Sequence, residues 1–293
     1  MLKSEAASKA RGTGATAKPS PIGFNGLSAR EWAMSSKSVW TARDVSSQRE
    51  KHHVEHGATF PIALAENAIK MYTAKGDLVL DPFLGVADTL LACRNLDRNG
   101  IGFELYKKYS DISKRLLKQS GINSAQKVVH GDCRTMSKYV KPDTVQLTFT
   151  SPPYADFIQQ SLNDRKKTHK KSKLVIDNNS NVRQYGNSKS DFGNLHYDEF
   201  LINVESLMKK IYKVTKNGGY NVWVVKDHRI SKKKIPYVPV HSDIMNAGIN
   251  AGFTAHDLIV WDQNDQRSLV VLGFPTVFYV NVNHTFLVVL RKL

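Results

Sequence analysis

The feature that most constrains this chain is a regular alternation of short apolar runs with amphipathic segments between residues 77 and 149. The apolar runs that predict strands are 77–80, 100–104, 127–130 and 145–149, and the segments that predict helices are 89–96 and 109–119. Strands that alternate with helices favour a parallel sheet with helices on both faces. We therefore expect an α/β fold built on a mostly parallel sheet.

Further elements flank this alternation on both sides. Ser28 is a plausible helix cap for a short helix over 27–40, and helical spacing predicts another helix over 61–72. The later elements expected are helices at 197–214 and 242–251 and strands at 220–225, 258–261 and 285–290. Because late strands of this kind close the sheet, we expect one continuous catalytic domain over residues 25–293.

Two segments fall outside this pattern. Residues 1–24 are rich in Ser, Ala, Gly, Lys and Pro, and a basic tail of this composition is expected to be disordered. Residues 156–196 contain a basic run and little apolar content. An insertion of that length is too long for an ordinary connection in a compact domain, so we expect it to be functional, disordered or both.

Charge points to the class of partner. Lys and Arg total 42 against 26 acidic residues, which gives a formal net charge of +16 and favours a polyanion such as nucleic acid. No apolar run approaches the roughly 20 residues that cross a bilayer, so we expect a soluble protein without a membrane partner. The only two cysteines are Cys93 and Cys133, which suit a reducing compartment such as the cytoplasm.

Acidic residues stand at the ends of three successive predicted strands. Asp81 opens the turn 81–85, whose backbone amides precede a helix, and Glu104 ends the next strand, where a carboxylate suits a ribose diol. Asp132 follows the third strand and could accept from an adenine amino group, with Cys133 beside it. The chain has no GxxxxGK[ST] loop at this turn. The three carboxylates together indicate a nucleoside site.

The segment Thr150-Ser151-Pro152-Pro153-Tyr154 follows the fourth strand and combines the groups that could hold a base amine. Consecutive prolines remove two amide donors, so nearby carbonyls are presented without competing N–H groups. The Ser151 oxygen and the Pro152 carbonyl could both accept from one amino group, while the Tyr154 ring could stack on the base. Such contacts would direct the nitrogen lone pair toward a methyl donor.

These residues resemble the DNA amino-methyltransferases of restriction–modification systems and related phage enzymes. The matching motifs are 150–154 (TSPPY), 80–85 (LDPFLG) and the amino-terminal pairs Glu31-Trp32 and Phe60-Pro61. The resemblance implies a Rossmann-like methyltransferase fold, S-adenosyl-L-methionine as the cofactor, a flipped base in double-stranded DNA as the substrate, and a bacterial or phage-type, nucleoid-associated cytoplasmic location. Its serine form is typical of the cytosine N4 branch, and a cognate restriction endonuclease is a further possible partner.

The expected site residues fall into three groups. The catalytic candidates are Ser151, Pro152, Pro153 and Tyr154. The cofactor candidates are Phe60, Pro61, Asp81, Pro82, Phe83, Gly85, Asp88, Thr89, Glu104, Asp132 and Cys133. The DNA-binding candidates are Arg165, Lys166, Lys167, Lys170, Lys171, Arg183 and Arg229. No metal site is expected, although His52, His53 and His56 have suggestive spacing.

Two departures from the family pattern matter. The family reads DPFxGxGTT where this chain continues Gly85-Val86-Ala87-Asp88-Thr89, so a Cβ replaces the second glycine and an acid stands near the helix start. The cofactor motif also precedes the catalytic one, the reverse of many serine-type members. Three alternatives stay open from the residues: an N6-adenine enzyme, an RNA base-amine methyltransferase, and a catalytically dead DNA-binding homologue. A nicotinamide dehydrogenase is disfavoured because it leaves the tetrapeptide without a role.

Overall fold

The computed structural model describes residues 22–45, 60–118, 125–153, 186–229, 237–267, 269 and 278–293. In these ranges the helices are α1 (Ala29–Ser35), α2 (Ile62–Tyr72), α3 (Asp88–Asn95), α4 (Lys107–Leu117), α5 (Tyr197–Val214) and α6 (Val240–Asn250). The strands are β1 (Val39–Trp40), β2 (Leu78–Asp81), β3 (Asn99–Glu104), β4 (Gln126–His130), β5 (Val145–Thr150), β6 (Thr215–Val225), β7 (His228–Arg229), β8 (Tyr237–Val238), β9 (Thr254–Asp262) and β10 (His284–Arg291).

Eight of these strands form one twisted sheet in the order β1-β9-β10-β6-β5-β2-β3-β4. The pairs from β6 to β4 are parallel, and β10 is antiparallel to both of its neighbours. Helices α2 and α3 pack on one face, and α5 and α6 pack on the other. The expected α/β architecture, a mostly parallel Rossmann-like sheet with helices on both faces, is confirmed.

The sheet reverses its strand order between β2 and β5. From β2 the chain moves outward through β3 to β4, and it then returns to β5 on the other side of β2. In open α/β sheets the carboxyl ends of the two strands at such a switch point bound the crevice in which ligands bind. Asp81 ends β2 and Thr150 ends β5, so both predicted motifs lie at this crevice.

Side chains of the long strand β6 alternate between the two layers. Tyr220, Val222 and Val224 belong to the apolar cluster under α2, whereas Trp223 and Val225 belong to the cluster under α5 and α6. This alternation is the period of two that a strand imposes. The same alternation shows on which face of the sheet each residue at the end of β6 lies.

The helix predicted over 27–40 is wrong in its extent. Helix α1 begins after the Ser28 cap, which forms a capping box with Glu31, but it ends at Ser35. Val39 and Trp40 instead form β1, parallel to β9. Trp40 is buried in the sheet, so the tertiary contact outweighs the local helical spacing.

Other boundaries also differ from expectation. Strand β9 begins at Thr254, four residues before the expected start at 258. Strand β6 begins at Thr215, directly after α5, five residues before the expected start at 220. At the end of the predicted tail, Ile22 forms a bridge with Ser28. The rest of that tail and most of the predicted insertion lie outside the described residues. No helix in the described ranges is both long and apolar enough to cross a membrane.

Candidate active site at the carboxyl edge of the sheet

Asp81 ties the two sides of the crevice together. Its side chain accepts hydrogen bonds from Thr150 Oγ1 at 2.6 Å, Thr89 Oγ1 at 2.6 Å and the Phe83 amide at 3.0 Å. Only 1% of the residue is exposed, and burial raises its pKa to about 6 against the lowering effect of those three bonds. Thus one carboxylate joins the end of β2, the start of α3 and the residue before Ser151.

Glu104 holds the turn that follows Asp81. Its carboxylate accepts from the Gly85 amide at 2.9 Å and from the Tyr106 amide at 2.8 Å. Burial raises the pKa of Glu104 to about 7, and the two amide bonds lower it in part. A carboxylate has about four acceptor positions, so two remain for hydroxyl donors such as a ribose diol.

The turn itself contains left-handed backbone. Gly85 has φ of 58°, which glycine adopts without strain. Ala87 has φ of 76° and stands at the position where the family motif carries its second glycine. An L residue with a Cβ is strained in this region by about 1–2 kcal/mol. Asp88 then begins α3, where a carboxylate favours the helix dipole.

The third acidic residue is engaged differently from expectation. Asp132 accepts from the Arg134 amide and from two guanidinium nitrogens of Arg134, at 2.6–3.0 Å. Burial would raise the pKa of Asp132, but the hydrogen bonds and charge of Arg134 lower it. Because Arg134 occupies both carboxylate oxygens, the predicted contact with an adenine amino group requires this pair to open and stays a prediction.

Cys133 lies in the core beside this pair. It begins a short 3₁₀ helix, it is 5% exposed, and burial raises the pKa of its thiol. Phe60 and Pro61 precede α2, and the Phe60 ring meets Phe149 edge-on at 5.4 Å. Phe60 therefore approaches the residue two before Ser151, on the α2 face of the sheet.

The Ser-Pro-Pro turn follows β5 directly. Ser151 Oγ donates to the Val224 carbonyl at 3.0 Å, across the gap to β6. The hydroxyl hydrogen is therefore used, and the lone pairs of Oγ remain as acceptors. Pro153 packs near Gly193, where a Cβ would lie 3.3 Å from the proline ring. Tyr154 lies outside the described residues, as do Arg165, Lys166, Lys167, Lys170, Lys171 and Arg183.

An aromatic cluster supports the turn from the α5 side. The Phe83 ring meets Phe192 edge-on at 5.1 Å and Trp223 at 6.0 Å. Asp191, next to Phe192, accepts from Tyr106 Oη at 2.7 Å. Burial and this bond raise the pKa of Tyr106. The segment at 186–194 therefore contacts the cofactor turn through Phe192. Its bond between Asp191 and Tyr106 joins residues 85 positions apart, which sequence spacing did not reveal.

A second polar cluster lies beyond the end of β6, on the α5 and α6 face. The buried Asp227 carboxylate accepts from Tyr237 Oη and from the His241 amide, and it lies 2.7 Å from His241 Nδ1. Arg229 lies between the Tyr237 and Tyr279 rings, each 5.1 Å from its guanidinium, and its Nε donates to the Val280 carbonyl. Of the predicted DNA contacts, Arg229 is the one that the described residues include.

Metal chemistry finds no support in this part of the chain. Among the described residues no group of three His, Cys, Asp or Glu side chains could hold a metal ion. The predicted histidine cluster His52, His53 and His56 lies outside them. The expectation of no metal site therefore stays a prediction for the chain as a whole.

The residues that are described fit S-adenosylmethionine. Two buried carboxylates line the turn after β2, and Glu104 keeps acceptor capacity beside the left-handed Gly85 backbone. A sulfonium cofactor with hydroxyl donors matches such an acidic edge better than a phosphate would. No described residue of the turn itself supplies a lysine or arginine, as the chain reads Asp81-Pro82-Phe83-Leu84-Gly85.

Comparison with known proteins gives a family-profile match in the amino-terminal part of the chain and curated relatives that match about a third of it or less. The profile of the DNA methylase family matches residues 8–115, which include Asp81 and Glu104 but end before Ser151. The Type II methyltransferase M.BglI of Bacillus subtilis is 38% identical over 95 residues, covering 32% of this chain and 26% of that protein. M.MthZI of Methanothermobacter thermautotrophicus is 42% identical over 76 residues, covering 25% and 21%. These matches therefore span about a quarter of each relative's length.

Among solved structures, a TehB-like methyltransferase of Corynebacterium glutamicum aligns with a TM-score of 0.44 and 11% identity over 78% of this chain and 87% of that one. TehB of Haemophilus influenzae aligns with the same TM-score and identity over 82% and 65%. The profile match and the curated relatives show that part of this chain is similar to the DNA amino-methyltransferases, which take their methyl group from S-adenosylmethionine.

Proposed function

We propose that this protein methylates an exocyclic amine of a base in double-stranded DNA, and that the amine is N4 of cytosine. The observation that carries the proposal is the hydrogen bond of 2.6 Å between Asp81 and Thr150. It joins the cofactor turn at the end of β2 to the residue that precedes Ser151. A methyl donor on one side and an amine on the other would therefore meet at the switch point of the sheet.

Ser151 is the proposed acceptor for the target amine. Its hydroxyl hydrogen already bonds the Val224 carbonyl, so the oxygen offers lone pairs rather than a proton. The Pro152 carbonyl, which faces no competing amide from Pro153, would accept the second amine hydrogen. Held by two acceptors, the nitrogen lone pair is directed out of the ring plane and can attack a methyl group in line.

The remaining roles follow from where the side chains lie. Glu104 would accept from the cofactor ribose, while Asp81 fixes the turn between Thr89 and Thr150. S-adenosylmethionine, when bound, supplies the electrophilic methyl group. We propose further that residues 25–293 form a single catalytic domain, because eight strands between Val39 and Arg291 share one sheet. DNA would be gripped by the basic run at 165–171 and by Arg229.

Base flipping is part of the same proposal. A cytosine inside a duplex has its amine engaged in pairing and stacked out of reach, so an enzyme of this kind must extrude the base. Ser151 lies at the sheet edge and is only partly buried, which leaves it accessible to an extruded base. The serine in place of an acidic or amide residue supports cytosine, while the acceptor chemistry by itself would also suit adenine N6.

The test is transfer of labelled methyl from S-adenosylmethionine to mixed-sequence duplex DNA, followed by nucleoside digestion and mass spectrometry. We expect N4-methylcytosine, and Ser151→Ala is expected to reduce transfer at least about a hundredfold, the range of lost acceptor positioning. Thr144→Ala, a hydroxyl deletion on the loop before β5, is the matched control and should leave transfer unchanged. N6-methyladenine would overturn the cytosine assignment, and full activity of Ser151→Ala would overturn the catalytic one.

A further inference from the structure

Lys226 follows the last residue of β6 and carries a charge that no acidic side chain of the described ranges pairs with. In the described part of the chain, no hydrogen bond or ion pair reaches it. It is nevertheless half-buried rather than extended into solvent. The neighbouring carboxylate of Asp227 is committed to Tyr237 and His241 on the opposite face of the sheet. A partly desolvated ammonium without an acid is costly, and an anionic ligand would offset that cost.

Strand register places Lys226 beside the catalytic turn. The pairs Phe149–Val222 and Thr150–Trp223 continue to Ser151 and Val224, whose hydrogen bond confirms the step. Lys226 is one pleat beyond Val224 and by alternation shares its face, the α2 face. Lys226 is therefore one strand spacing across from Ser151 and two residues further along. These two displacements place the Cα atoms of Ser151 and Lys226 about 8 Å apart.

The other strands contribute hydrogen-bond donors to the same edge and face. Val225 pairs with Phe286, so the next residue of the antiparallel strand β10, Thr285, lies opposite Lys226. Thr285 Oγ1 donates a hydrogen bond to Gln263 Oε1 at 3.1 Å. Asn283, one pleat further, is 7% exposed, and its Nδ2 has no partner in the described ranges. The indole nitrogen of Trp261, opposite Thr285 on β9, likewise lacks an acceptor there. Among the described residues, this edge therefore offers the Asn283 and Trp261 donors and the Lys226 cation to a ligand.

We infer that Lys226 binds a backbone phosphate of the target nucleotide, with Asn283 completing the contact, so that the extruded base is held beside Ser151. This inference rests on the proposed function, because it requires DNA at the crevice. A phosphate is the acceptor-rich anion that a flipped nucleotide brings within one residue of its base. A lysine on a flexible four-carbon stem is suited to meet it as a point charge.

The ionisation of Lys226 supplies a second signature. Burial, together with the positive charge of Arg267, lowers its pKa to about 8. Arg267 is the charged group that acts on it. His228, two residues further along the chain, is also titratable, and burial together with the charge of Lys226 lowers its pKa to about 4, so it stays neutral between pH 7 and 9. Thr285 and Gln263 are neutral, and Asp227 faces the other side. DNA affinity should therefore fall as the pH rises from 7 to 9, by up to about tenfold, because only the protonated amine binds phosphate.

The experiment measures binding of a mixed-sequence 30-base-pair duplex against salt concentration and pH, with calorimetric S-adenosylmethionine binding in parallel. Lys226→Ala should lower the slope of log affinity against log salt by about 0.9, the value of one phosphate contact. Lys226→Arg should keep the slope and lose the pH dependence above 7. Lys216→Ala removes the same charge at the opposite end of β6, where Lys216 pairs with Asp77, and should change neither.

Three results would overturn the inference. One is an unchanged salt slope in Lys226→Ala with normal folding, and another is an equal effect of Lys216→Ala. The third is wild-type protein that binds S-adenosylmethionine but no duplex. In that last case cofactor binding is intact, so the failure belongs to the DNA contact. A different result would count against the proposed function alone: no methyl transfer by the wild type, although it binds DNA normally and Lys226→Ala lowers the salt slope.

Discussion

At the scale of single residues, Ala87 carries the clearest strain in the described chain. Its φ of 76° lies in the left-handed region where a Cβ collides with the backbone. Ala87→Gly should therefore raise the free energy of unfolding by about 1 kcal/mol, despite the greater entropy of glycine in the unfolded chain. Urea denaturation followed by circular dichroism measures it. Ala92→Gly, the same change inside α3, should destabilise by about that amount. Equal losses in both variants would mean that Ala87 is unstrained.

We expect Glu104 to make both the stability of the protein and its affinity for the cofactor depend on pH. Burial raises its pKa to about 7, above the unfolded value of about 4.3, so between these values the folded protein holds more protons. The free energy of unfolding that this residue contributes therefore falls as the pH rises through that window. Relative to the Glu104→Gln variant, the free energy of unfolding of the wild type should fall by about 2 kcal/mol between pH 5.5 and 8.

Cofactor binding should respond in the opposite direction. Ribose hydroxyls donate to the ionised carboxylate, so wild-type affinity for S-adenosylmethionine should rise from pH 6 to 8. Isothermal titration calorimetry at both pH values tests this. Glu104→Gln should bind weakly and without the pH dependence, while Glu199→Gln, an exposed change on α5, should behave as wild type. A pH dependence that survives in Glu104→Gln would assign it to another group.

The limits of sequence reasoning at this scale are set by distance along the chain. Asp81 and Glu104 could be predicted because each ends a recognisable strand, and parallel strands bring their carboxyl ends to one edge. The partner of Asp81 is 69 residues away at Thr150, and that of Tyr106 is 85 residues away at Asp191. Such bonds depend on strand order, which local spacing does not encode.

At the scale of elements, Asp227 links three pieces of structure. Its buried carboxylate accepts from Tyr237 on β8 and from both the amide and the ring of His241 at the start of α6. Asparagine at this position would turn an NH₂ group toward these donors. Asp227→Asn should lower the free energy of unfolding by about 1–3 kcal/mol. Thermal unfolding, with the exposed Asp265→Asn as the control, measures it. Equal stability of the two variants would contradict this linking role.

The elements that sequence reasoning predicted well are those with strong local patterns. Strands β2 to β5 and helices α2 to α5 lie close to their expected places because an apolar run or a helical stripe marks each one. Strand β1 was missed because Trp40 is fixed by Trp261, more than 200 residues away. The start of β6 was missed because 216–219 reads Lys-Asn-Gly-Gly, which has no strand pattern, although it pairs with its neighbours in the sheet.

At the scale of the whole molecule, the net charge of +16 contrasts with the acidic crevice. The crevice buries Asp81 and Glu104, which repel phosphate, whereas Lys226 and Arg229 lie beyond the end of β6. DNA is therefore expected to approach over β5 and β6, while the cofactor occupies the side of β2 and β3. On the proposed function, this division would separate a cationic cofactor from a polyanionic substrate on one sheet edge.

The basic run at 165–171 begins eleven residues after Tyr154 and should carry much of the sequence-independent affinity for DNA. Each phosphate contact contributes about 0.9 to the salt slope, so the double variant Lys170→Gln, Lys171→Gln should lower the slope by up to about 1.8. Filter binding of a mixed-sequence duplex at salt concentrations from about 50 to about 300 mM tests this. The matched pair Lys107→Gln, Lys108→Gln changes the same charge on α4, where Lys107 pairs with Asp111, and should leave the slope unchanged. Equal slopes in both double variants would show that affinity follows total charge, and the basic run would then have no special place in DNA binding.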